Sequence, residues 1–164
     1  MRTYRVLITA LTTLIALSGC GQNSGSQTGG APPSAEAAEI SSKDFGDYVL
    51  HFNAISTDQL QPEVARAYNI ARSKSRAMLN ISIVKTPDKG IGSSVAGTVN
   101  VSAANLTGQI KNLALRQIQE GDAIYYIGDV AVANGETLVF DIRATPANET
   151  TPFTVRFSRQ FFSD

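Results

Sequence analysis

Few residues in this chain have side chains suited to catalysis. His51 is the only histidine, and it lies between Leu50 and Phe52 in an alternating segment, so its side chain points away from the apolar face. A hydrolase could pair His51 with Asp47, but the chain has no Gly-x-Ser-x-Gly turn to present a serine nucleophile. Because histidine is the side chain that titrates near neutral pH, His51 is also a candidate pH-sensitive residue. We therefore expect a protein that is not an enzyme, with a His51-dependent hydrolase as the catalytic alternative.

Metal ligands are also scarce. A zinc site needs three or four ligands from cysteine, histidine or carboxylate side chains, whereas this chain has one cysteine and one histidine. The alternating Asp and Asn pattern of a calcium-binding loop is absent from the sequence. We expect neither a metal ion nor an organic cofactor.

A cluster of basic residues lies between a short predicted helix and the second predicted strand: Arg66, Arg72, Lys74 and Arg76. Strand alternation predicts that the last three of this basic cluster share one face, opposite an apolar face. One interpretation is a solvated surface with ion pairs to Glu63 or Asp58. The other is a docking surface for an anionic lipid, a glycan or an acidic envelope protein. Nucleic acid is disfavoured, because 14 basic residues balance 14 acidic ones.

Cys20, the only cysteine, follows a segment typical of exported proteins. Two arginines precede a mostly apolar run, Val6–Leu17, and small residues then lead to Cys20. This order is that of a signal peptide, and the run is shorter than the roughly 20 residues that a membrane-spanning helix needs. The segment Leu17–Cys20 resembles the lipobox of bacterial lipoproteins. That resemblance implies cleavage before Cys20 and acylation of its thiol and amine by chains such as palmitate.

The lipobox resemblance also implies where the protein is located. A single acyl chain holds a protein only marginally, so the two or three chains of a lipoprotein are what make an anchor stable. Gly21, rather than Asp, follows the cysteine, which by the same resemblance implies export to the outer membrane. We expect a membrane-anchored protein that faces the periplasm.

The composition divides the chain into three parts. Residues 1–19 form the predicted signal peptide, and residues 20–42 are the acylated cysteine and a tether. The tether is rich in Gly, Ser, Ala and Pro, a composition that cannot bury enough apolar surface to fold. Residues 43–164 are the size of one domain. With no second cysteine, this domain must fold without an internal disulfide.

Alternating apolar residues dominate the domain. About seven segments show this period of two, with turn residues between them, which favours an all-β antiparallel sandwich of immunoglobulin type. One of the predicted strands runs from Ile110 to Ile118, and Asn134-Gly135 predicts a hairpin between the next two. A short helix is predicted at about 62–70, between the first two strands, because Pro62 suits a helix start and apolar residues follow at four-residue spacing.

Several stretches of the domain carry a family resemblance. The segments 46–53, 62–70 and 72–77 together resemble the bacterial envelope family called domain of unknown function 4426. The resemblance implies an exported β-rich domain with no established activity, so no site residue is transferred from it. We expect an adaptor or binding module whose partner is recognised by the helix and the basic cluster. The alternative is a carrier that holds a small apolar ligand between its sheets.

Overall fold

Two antiparallel sheets account for most of the residues that the structure describes. The structure is a computed structural model, and it describes residues 41–87 and 91–163. One 3-10 turn, Thr57–Gln59, precedes the helix α1, Pro62–Ala67. The strands are β1 (Ser42–Asp44), β2 (Tyr48–Ser56), β3 (Arg76–Lys85), β4 (Ser93–Ser94), β5 (Gly97–Asn105), β6 (Ile110–Lys111), β7 (Arg116–Glu120), β8 (Ala123–Ala131), β9 (Glu136–Pro146) and β10 (Phe153–Phe161). The predicted signal peptide, Cys20 and nearly all of the predicted tether lie outside the described residues.

The order of the strands identifies the architecture. Sheet 1 has the order β1-β2-β3-β8-β7, with β4 pairing with β3, and sheet 2 has the order β10-β9-β5-β6. If the seven main strands (β2, β3, β5, β7, β8, β9 and β10) are lettered A to G in chain order, the sheets read A-B-E-D and G-F-C. This is the strand order of constant-type immunoglobulin domains. The predicted immunoglobulin-like sandwich, with one short helix between the first two main strands, is confirmed.

The main core lies between the two sheets and consists mostly of buried Leu, Ile, Val and Ala side chains, with aromatic rings among them. Phe52 of β2 packs on Phe157 of β10 with 4.9 Å between ring centroids, and Phe157 stacks on Phe140 of β9 at 5.0 Å. Tyr48 and Phe153 meet in the same way near the start of β2 and β10, with 5.5 Å between their centroids. These contacts show that β2 and β10 run side by side in the same direction, so their final residues lie at the same end of the sandwich.

A second, smaller core lies on the outer face of sheet 1 beneath α1. It contains Leu60, Ala65 and Ile70 from the helical segment and Met78 and Ile127 from the sheet. A helix this short is marginal in isolation, so its stability depends on this packing. The helix therefore covers part of the outer face of sheet 1, at the end where β2 finishes.

The helix α1 ends earlier than the sequence predicted. Asn69 adopts a left-handed conformation with φ of 50°. The Asn69 N–H donates to the Arg66 carbonyl, and the Ile70 N–H donates to the Ala65 carbonyl at 2.8 Å. This pair of bonds is a Schellman motif, with asparagine at the position that usually carries glycine. The predicted range of 62–70 thus corresponds to a helix at Pro62–Ala67 and its C-terminal cap.

The predicted Asn134-Gly135 hairpin is wrong. The flanking strands β8 and β9 belong to different sheets and do not pair. A turn does form, since the Glu136 N–H donates to the Ala133 carbonyl at 3.1 Å. A type I′ hairpin turn needs positive φ at both central residues, but here only Gly135, at 72°, has it. The turn therefore carries the chain from sheet 1 to sheet 2.

The predicted strand from Ile110 to Ile118 is in fact two strands in different sheets. β6 pairs with β5 in sheet 2, whereas β7 pairs with β8 in sheet 1. Between them the chain crosses the sandwich, and the alternating Leu113 and Leu115 pack against the main core during the crossing. Gly128 makes room for it, because a Cβ there would lie 2.5 Å from the Ala114 carbonyl oxygen. The alternation reflects a crossing segment that is apolar on one side.

A tyrosine hydroxyl joins the two sheets at the start of β5. Tyr126 of β8 donates to the carbonyl of Gly97 and accepts from its N–H, with both distances 2.8 Å. Residue 97 must be glycine, because a Cβ would lie 2.4 Å from the Thr145 carbonyl oxygen. This pair of bonds satisfies the hydroxyl within the apolar interior.

A buried ion pair organises the start of β9. Lys111 Nζ lies 2.7 Å and 2.9 Å from the two carboxylate oxygens of Glu136, which also accept from Asn105 Nδ2 and the Ala133 N–H. Only 17% of the Lys111 side chain and 11% of the Glu136 side chain are exposed. Burial by itself raises the pKa of Glu136, but the hydrogen bonds outweigh it and lower that pKa below its usual value. The cluster ties β5 and β6 to the turn before β9.

We predict that Glu136→Gln destabilises the protein in a pH-dependent way. At neutral pH the free energy of unfolding should fall by about 1.5–3 kcal/mol, the range for hydrogen bonds to charged groups. Because the folded pKa is lowered, the carboxylate stabilises the fold above the unfolded-state pKa of about 4.3, and this contribution is lost as pH falls through the folded pKa. Urea unfolding should show the gap between variant and parent closing under acid, with the exposed Glu63→Gln as control. A gap that stays constant would contradict this account.

Candidate functional site

The basic cluster is largely engaged within the protein. Arg66, on α1, pairs with Glu63 one turn earlier at 3.0 Å, and both side chains are more than 70% exposed. The guanidinium of Arg72 donates to the backbone carbonyl of Asp58 at 2.7 Å. Lys74 is also engaged with a neighbour. The Arg66–Glu63 ion pair is one that the solvated-surface interpretation predicts, whereas Arg72 contacts Asp58 through its backbone carbonyl and not its carboxylate.

The predicted alternation of the basic cluster fails at its first two strand positions. β3 begins only at Arg76, so Arg72 and Lys74 lie in the connection before the strand. The physical reason is that this connection still follows the helical segment, with the Thr57 hydroxyl bonded to the Ala71 and Ser73 carbonyls. Because these side-chain hydrogen bonds, and not pairing with a neighbouring strand, fix the backbone of the connection, its side chains do not alternate between two faces as they do in a strand.

Arg76 makes the strongest contact of the basic cluster. Its Nε lies 2.7 Å from Oδ2 of Asp129 on the neighbouring strand β8, and its Nη2 donates to the same oxygen. The pair is partly buried, with 37% of the Arg76 side chain and 25% of the Asp129 side chain exposed. Arg76 therefore holds β3 to β8 and is poorly placed to bind a partner.

His51 lies where the sequence predicts, exposed on the outer face of sheet 1. Its strand neighbours in register are Ser42 and Ser82. Asp47 lies four residues before His51, which is about 13 Å along an extended chain, and its backbone carbonyl accepts from the Thr86 N–H. The two side chains of the alternative hydrolase are thus not neighbours. Within residues 41–87 and 91–163, no three His, Cys, Asp or Glu side chains are grouped to hold a metal ion.

A groove of about 910 Å³ lies on the outer face of sheet 2. We call it the sheet 2 groove. The register places its polar side chains in two rows across three strands: Ser102, Asp141 and Arg156 in one row, and Asn100, Arg143 and Thr154 in the next. Its remaining lining comes from Lys43, Val101, Ile142 and Val155.

Lys43 forms a wall of the sheet 2 groove although it belongs to sheet 1. Its Nζ donates to the Thr154 carbonyl of the edge strand β10 at 3.2 Å and lies 5.1 Å from the centre of the Phe45 ring. Phe45 is itself stacked on Phe153 at 4.5 Å. The ammonium group is therefore held at the rim of the groove by a carbonyl and an aromatic ring.

The charges of the sheet 2 groove do not balance. Three cations, Lys43, Arg143 and Arg156, face one carboxylate, Asp141. The Arg156–Asp141 pair is loose, with 3.6 Å between Nη1 and Oδ1 and side chains 72% and 49% exposed, so it is weak in water. Among the described residues, Arg143 has neither an ion pair nor a hydrogen bond from its guanidinium.

The two arginines are close enough to share a ligand. Arg143 lies opposite Thr154, and Arg156 is two residues further along the same strand, so the arginines are diagonal neighbours with Cβ atoms about 7–8 Å apart. A guanidinium presents paired N–H donors that match the oxygens of a carboxylate or phosphate. The groove can therefore hold an anionic group between two guanidinium groups.

The sequence analysis missed the sheet 2 groove for an identifiable reason. Each strand shows its polar residues alternating with core residues, as in Asn100 and Ser102 beside Val101. The signal is in these solvent-facing positions, but alternation shows only that they are polar. Those on β5 and β9 are about 40 residues apart in sequence, and only the pairing register brings them side by side with β10.

The comparison with protein families agrees with this fold. A sequence model for the family described as domain of unknown function (DUF4426) matches residues 42–164. The chain belongs to the DUF4426 family. The family resemblance found in the sequence is thus confirmed. Among curated proteins, no match to this DUF4426 chain was found.

Two solved structures are similar to this DUF4426 chain. One is a DUF4426 family protein from Pseudomonas aeruginosa PAO1, with 32% sequence identity and a TM-score of 0.63 over 75% of this chain and 94% of that chain. The other is FetP of uropathogenic E. coli strain F11, recombinantly expressed in the periplasm of E. coli. Its identity is 11% and its TM-score 0.54, over 77% of this chain and 95% of that chain. The FetP likeness shows the fold alone.

In the part of the chain that the structure describes, no helix has both the length and the apolar character needed to span a bilayer.

We predict that Arg76 stabilises the DUF4426 fold more than Arg66 does. Arg76→Ala removes hydrogen bonds to a partly buried carboxylate, so the free energy of unfolding should fall by about 1 kcal/mol. Arg66→Ala removes an exposed pair and should change it by less than about 0.5 kcal/mol. Urea unfolding followed by circular dichroism measures both values. Equal values for the two variants would show that the Arg76–Asp129 pair has no structural role.

Proposed function

We propose that this protein is a non-enzymatic binding module of the bacterial envelope, anchored by lipid at Cys20. Its ligand is an anionic group, a phosphate or carboxylate carried by an envelope lipid or glycan, and it binds in the sheet 2 groove. The single observation that carries the proposal is the guanidinium of Arg143, unpaired among the described residues and central in a groove with an excess of positive charge.

The sheet 2 groove is a better recognition surface than the basic cluster. The cations of the basic cluster already contact Glu63, the Asp58 carbonyl and Asp129. A partner would have to break those contacts before binding, which lowers its net affinity. In the groove, Arg143 has no such contact to lose. A volume of about 910 Å³ is also within the usual range for ligand sites.

The arrangement of polar residues favours binding over catalysis. The groove contains hydroxyl groups on Ser102 and Thr154, but its lining includes no histidine to activate them. His51 lies on the other sheet, away from these hydroxyls. The alternative of an apolar-ligand carrier has no observation in its favour, because buried apolar side chains of the protein itself pack between the sheets, where such a ligand would lie.

The lipid anchor and the outer-membrane location remain predictions from the lipobox resemblance. A flexible tether over residues 20–42 would have a root-mean-square reach of roughly 25 Å. That distance would place the binding domain just beyond the lipid headgroups while keeping it at the membrane. An adaptor for envelope lipids or glycans needs that position.

We predict that small anionic sugars bind the sheet 2 groove. Glucose 1-phosphate tests the phosphate class, glucuronic acid tests the carboxylate class, and glucose is the neutral comparison. Arg143→Ala should weaken binding of the anionic probe about tenfold or more, because a hydrogen bond to a charged group contributes about 1.5–3 kcal/mol. Isothermal titration calorimetry on the purified protein measures the affinities, and added salt should weaken them.

Arg66→Ala is the matched control for this experiment. It removes an exposed arginine that lies outside the groove, so affinity for the anionic probe should stay within about twofold of the parent. Both variants should keep the parent melting temperature. Glucose binding as tightly as the anionic sugars, or equal losses in the two variants, would reject the groove as the binding site.

The anchor is tested separately in the host cell. Cys20→Ala, or treatment with globomycin, should block maturation and leave an unprocessed precursor, because acylation and cleavage both need the cysteine thiol. Metabolic labelling with palmitate and membrane fractionation measure the outcome. Normal processing and membrane attachment of the Cys20→Ala variant would refute the lipid anchor without bearing on the groove.

A further inference from the structure

Three large apolar side chains are exposed at one end of sheet 2. Leu106, in the turn between β5 and β6, is 74% exposed, Ile110 of β6 is 81% exposed, and Phe162, which follows β10, is 65% exposed. β5 and β10 finish at the same end, because both are antiparallel to the strand β9 between them. The segments that carry Leu106 and Phe162 are therefore about 10 Å apart across the sheet. We call these three residues the apolar tip.

Hydrogen bonds hold the backbone of the apolar tip in place. In the turn between β5 and β6, the side-chain oxygen of Asn105 accepts from two backbone N–H groups, at 3.2 Å and 2.9 Å. Directly after Phe162, the Ser163 N–H donates to Asn134 Oδ1 at 3.0 Å. A group of exposed apolar side chains on a fixed backbone indicates a contact surface, because single exposed ones are common but grouped ones are not.

The basic cluster lies at the same end as the apolar tip. β3 is antiparallel to β2 and begins where β2 finishes, and Arg72 and Lys74 are exposed in the connection before it. The carboxylates near the four cations of the basic cluster are those of Asp58, Glu63 and Asp129. The basic cluster therefore gives this end a small excess of positive charge.

The opposite end of the sandwich is acidic. Asp47 before β2, Asp122 between β7 and β8, and Glu149 between β9 and β10 are all exposed there, beside the single exposed cation Lys85 of β3. An anionic lipid surface attracts basic groups and repels acidic ones. Such a surface therefore fits the end that carries the apolar tip and not the other end.

The direction of β1 also favours this end. The Ser41 carbonyl accepts from the Phe52 N–H at 2.8 Å, and β1 is antiparallel to β2. Followed backwards from Ser42, the described chain thus runs toward the end where β2 finishes. Phe52 is four residues, or about 13 Å, from the last residue of β2. The predicted tether has a reach of roughly 25 Å, so Cys20 can enter a bilayer that touches the apolar tip.

We propose that the apolar tip docks on the lipid bilayer that holds the anchor. Its three side chains enter the interfacial layer, and Arg72 and Lys74 lie near the anionic headgroups. The inference rests on the proposed lipid anchor, because a few apolar groups alone bind a bilayer weakly and a tether supplies the high local concentration that docking needs. Asp141 of the sheet 2 groove lies five residues beyond the start of β9, about 17 Å from this end, so docking leaves the groove open.

Tryptophan fluorescence tests the docking, because the chain has no tryptophan of its own. Phe162→Trp places one in the apolar tip, and Ile91→Trp places one at a side chain that is 97% exposed at the opposite end. The protein purified from its host is reconstituted in vesicles of phosphatidylethanolamine and phosphatidylglycerol. A chain found without acyl groups is coupled through Cys20, its only cysteine, to a maleimide lipid in the same vesicles, so failure of the natural anchor is detected separately from failure of docking.

We expect the emission of Phe162→Trp to move to shorter wavelength on vesicles. A brominated lipid should quench it at least about twofold more than Ile91→Trp, because interfacial apolar groups lie about 5–10 Å into the boundary between headgroups and acyl chains. Equal quenching of the two variants, or no quenching of Phe162→Trp in vesicle-attached protein, would overturn the docking. The same emission shift without vesicles would also overturn it, since a second copy of the chain would then cover the apolar tip.

Leu106→Ser together with Ile110→Thr, in the Phe162→Trp protein, tests the other two residues of the apolar tip. Quenching should fall at least about twofold, because two apolar side chains no longer leave water. Ile91→Thr is the matched control and should leave the quenching unchanged. All of these side chains are exposed, so the melting temperatures should stay close to that of the parent. Equal quenching with and without the Leu106→Ser and Ile110→Thr changes would contradict the proposal.

Discussion

The packing of two sheets without a disulfide is the constraint on which the rest of this structure depends. Immunoglobulin domains commonly link the two sheets covalently near a buried tryptophan; this chain has no tryptophan and a single cysteine, at position 20. Buried apolar side chains from both sheets hold the sandwich together instead, and Phe157 of sheet 2 contacts Phe52 of sheet 1 across the core. Apolar burial supplies the attraction, so most inward positions along the paired strands are apolar, with Ser56 and Arg159 as polar exceptions.

Because the inner faces of the two sheets form the core, the polar and charged surfaces that could bind a ligand lie on the outer faces. On sheet 1 the outer face is divided between a helix-covered apolar part and a neutral polar slot of about 220 Å³ whose lining includes His51 and Asn80. On sheet 2 no helix within the described residues packs on the outer face, and the polar rows of the groove are open to solvent. The sandwich is thus a rigid support for two chemically different surfaces, one cationic and one neutral.

The cations of the basic cluster have partners within the protein, whereas Arg143 of the sheet 2 groove has none among the described residues. This difference follows from which residues lie next to each cation. Cations close together in sequence lie near polar groups of the same connection, and they bond to them: Arg66 to Glu63, and Arg72 to the Asp58 carbonyl. Arg143 lies on a central strand between the uncharged Asn100 and Thr154, and it forms no ion pair among the described residues. A sequence cluster of charge therefore indicated internal contacts, whereas a dispersed set formed the surface with unpaired charge.

The period of two in the apolar residues by itself determined the fold class and the polar face of each strand, because alternation reports local burial directly. The short helix followed from Pro62 and the four-residue apolar spacing after it. The exposure of His51 followed from the same alternation. Sheet membership was decided only in three dimensions: Asn134-Gly135 joins two sheets, and the alternating segment from Ile110 to Ile118 is divided between them. Local patterns describe one strand at a time, whereas the sheet 2 groove and the slot depend on which strands pair and in what register. That register is chosen by packing of the whole core, which no short segment contains.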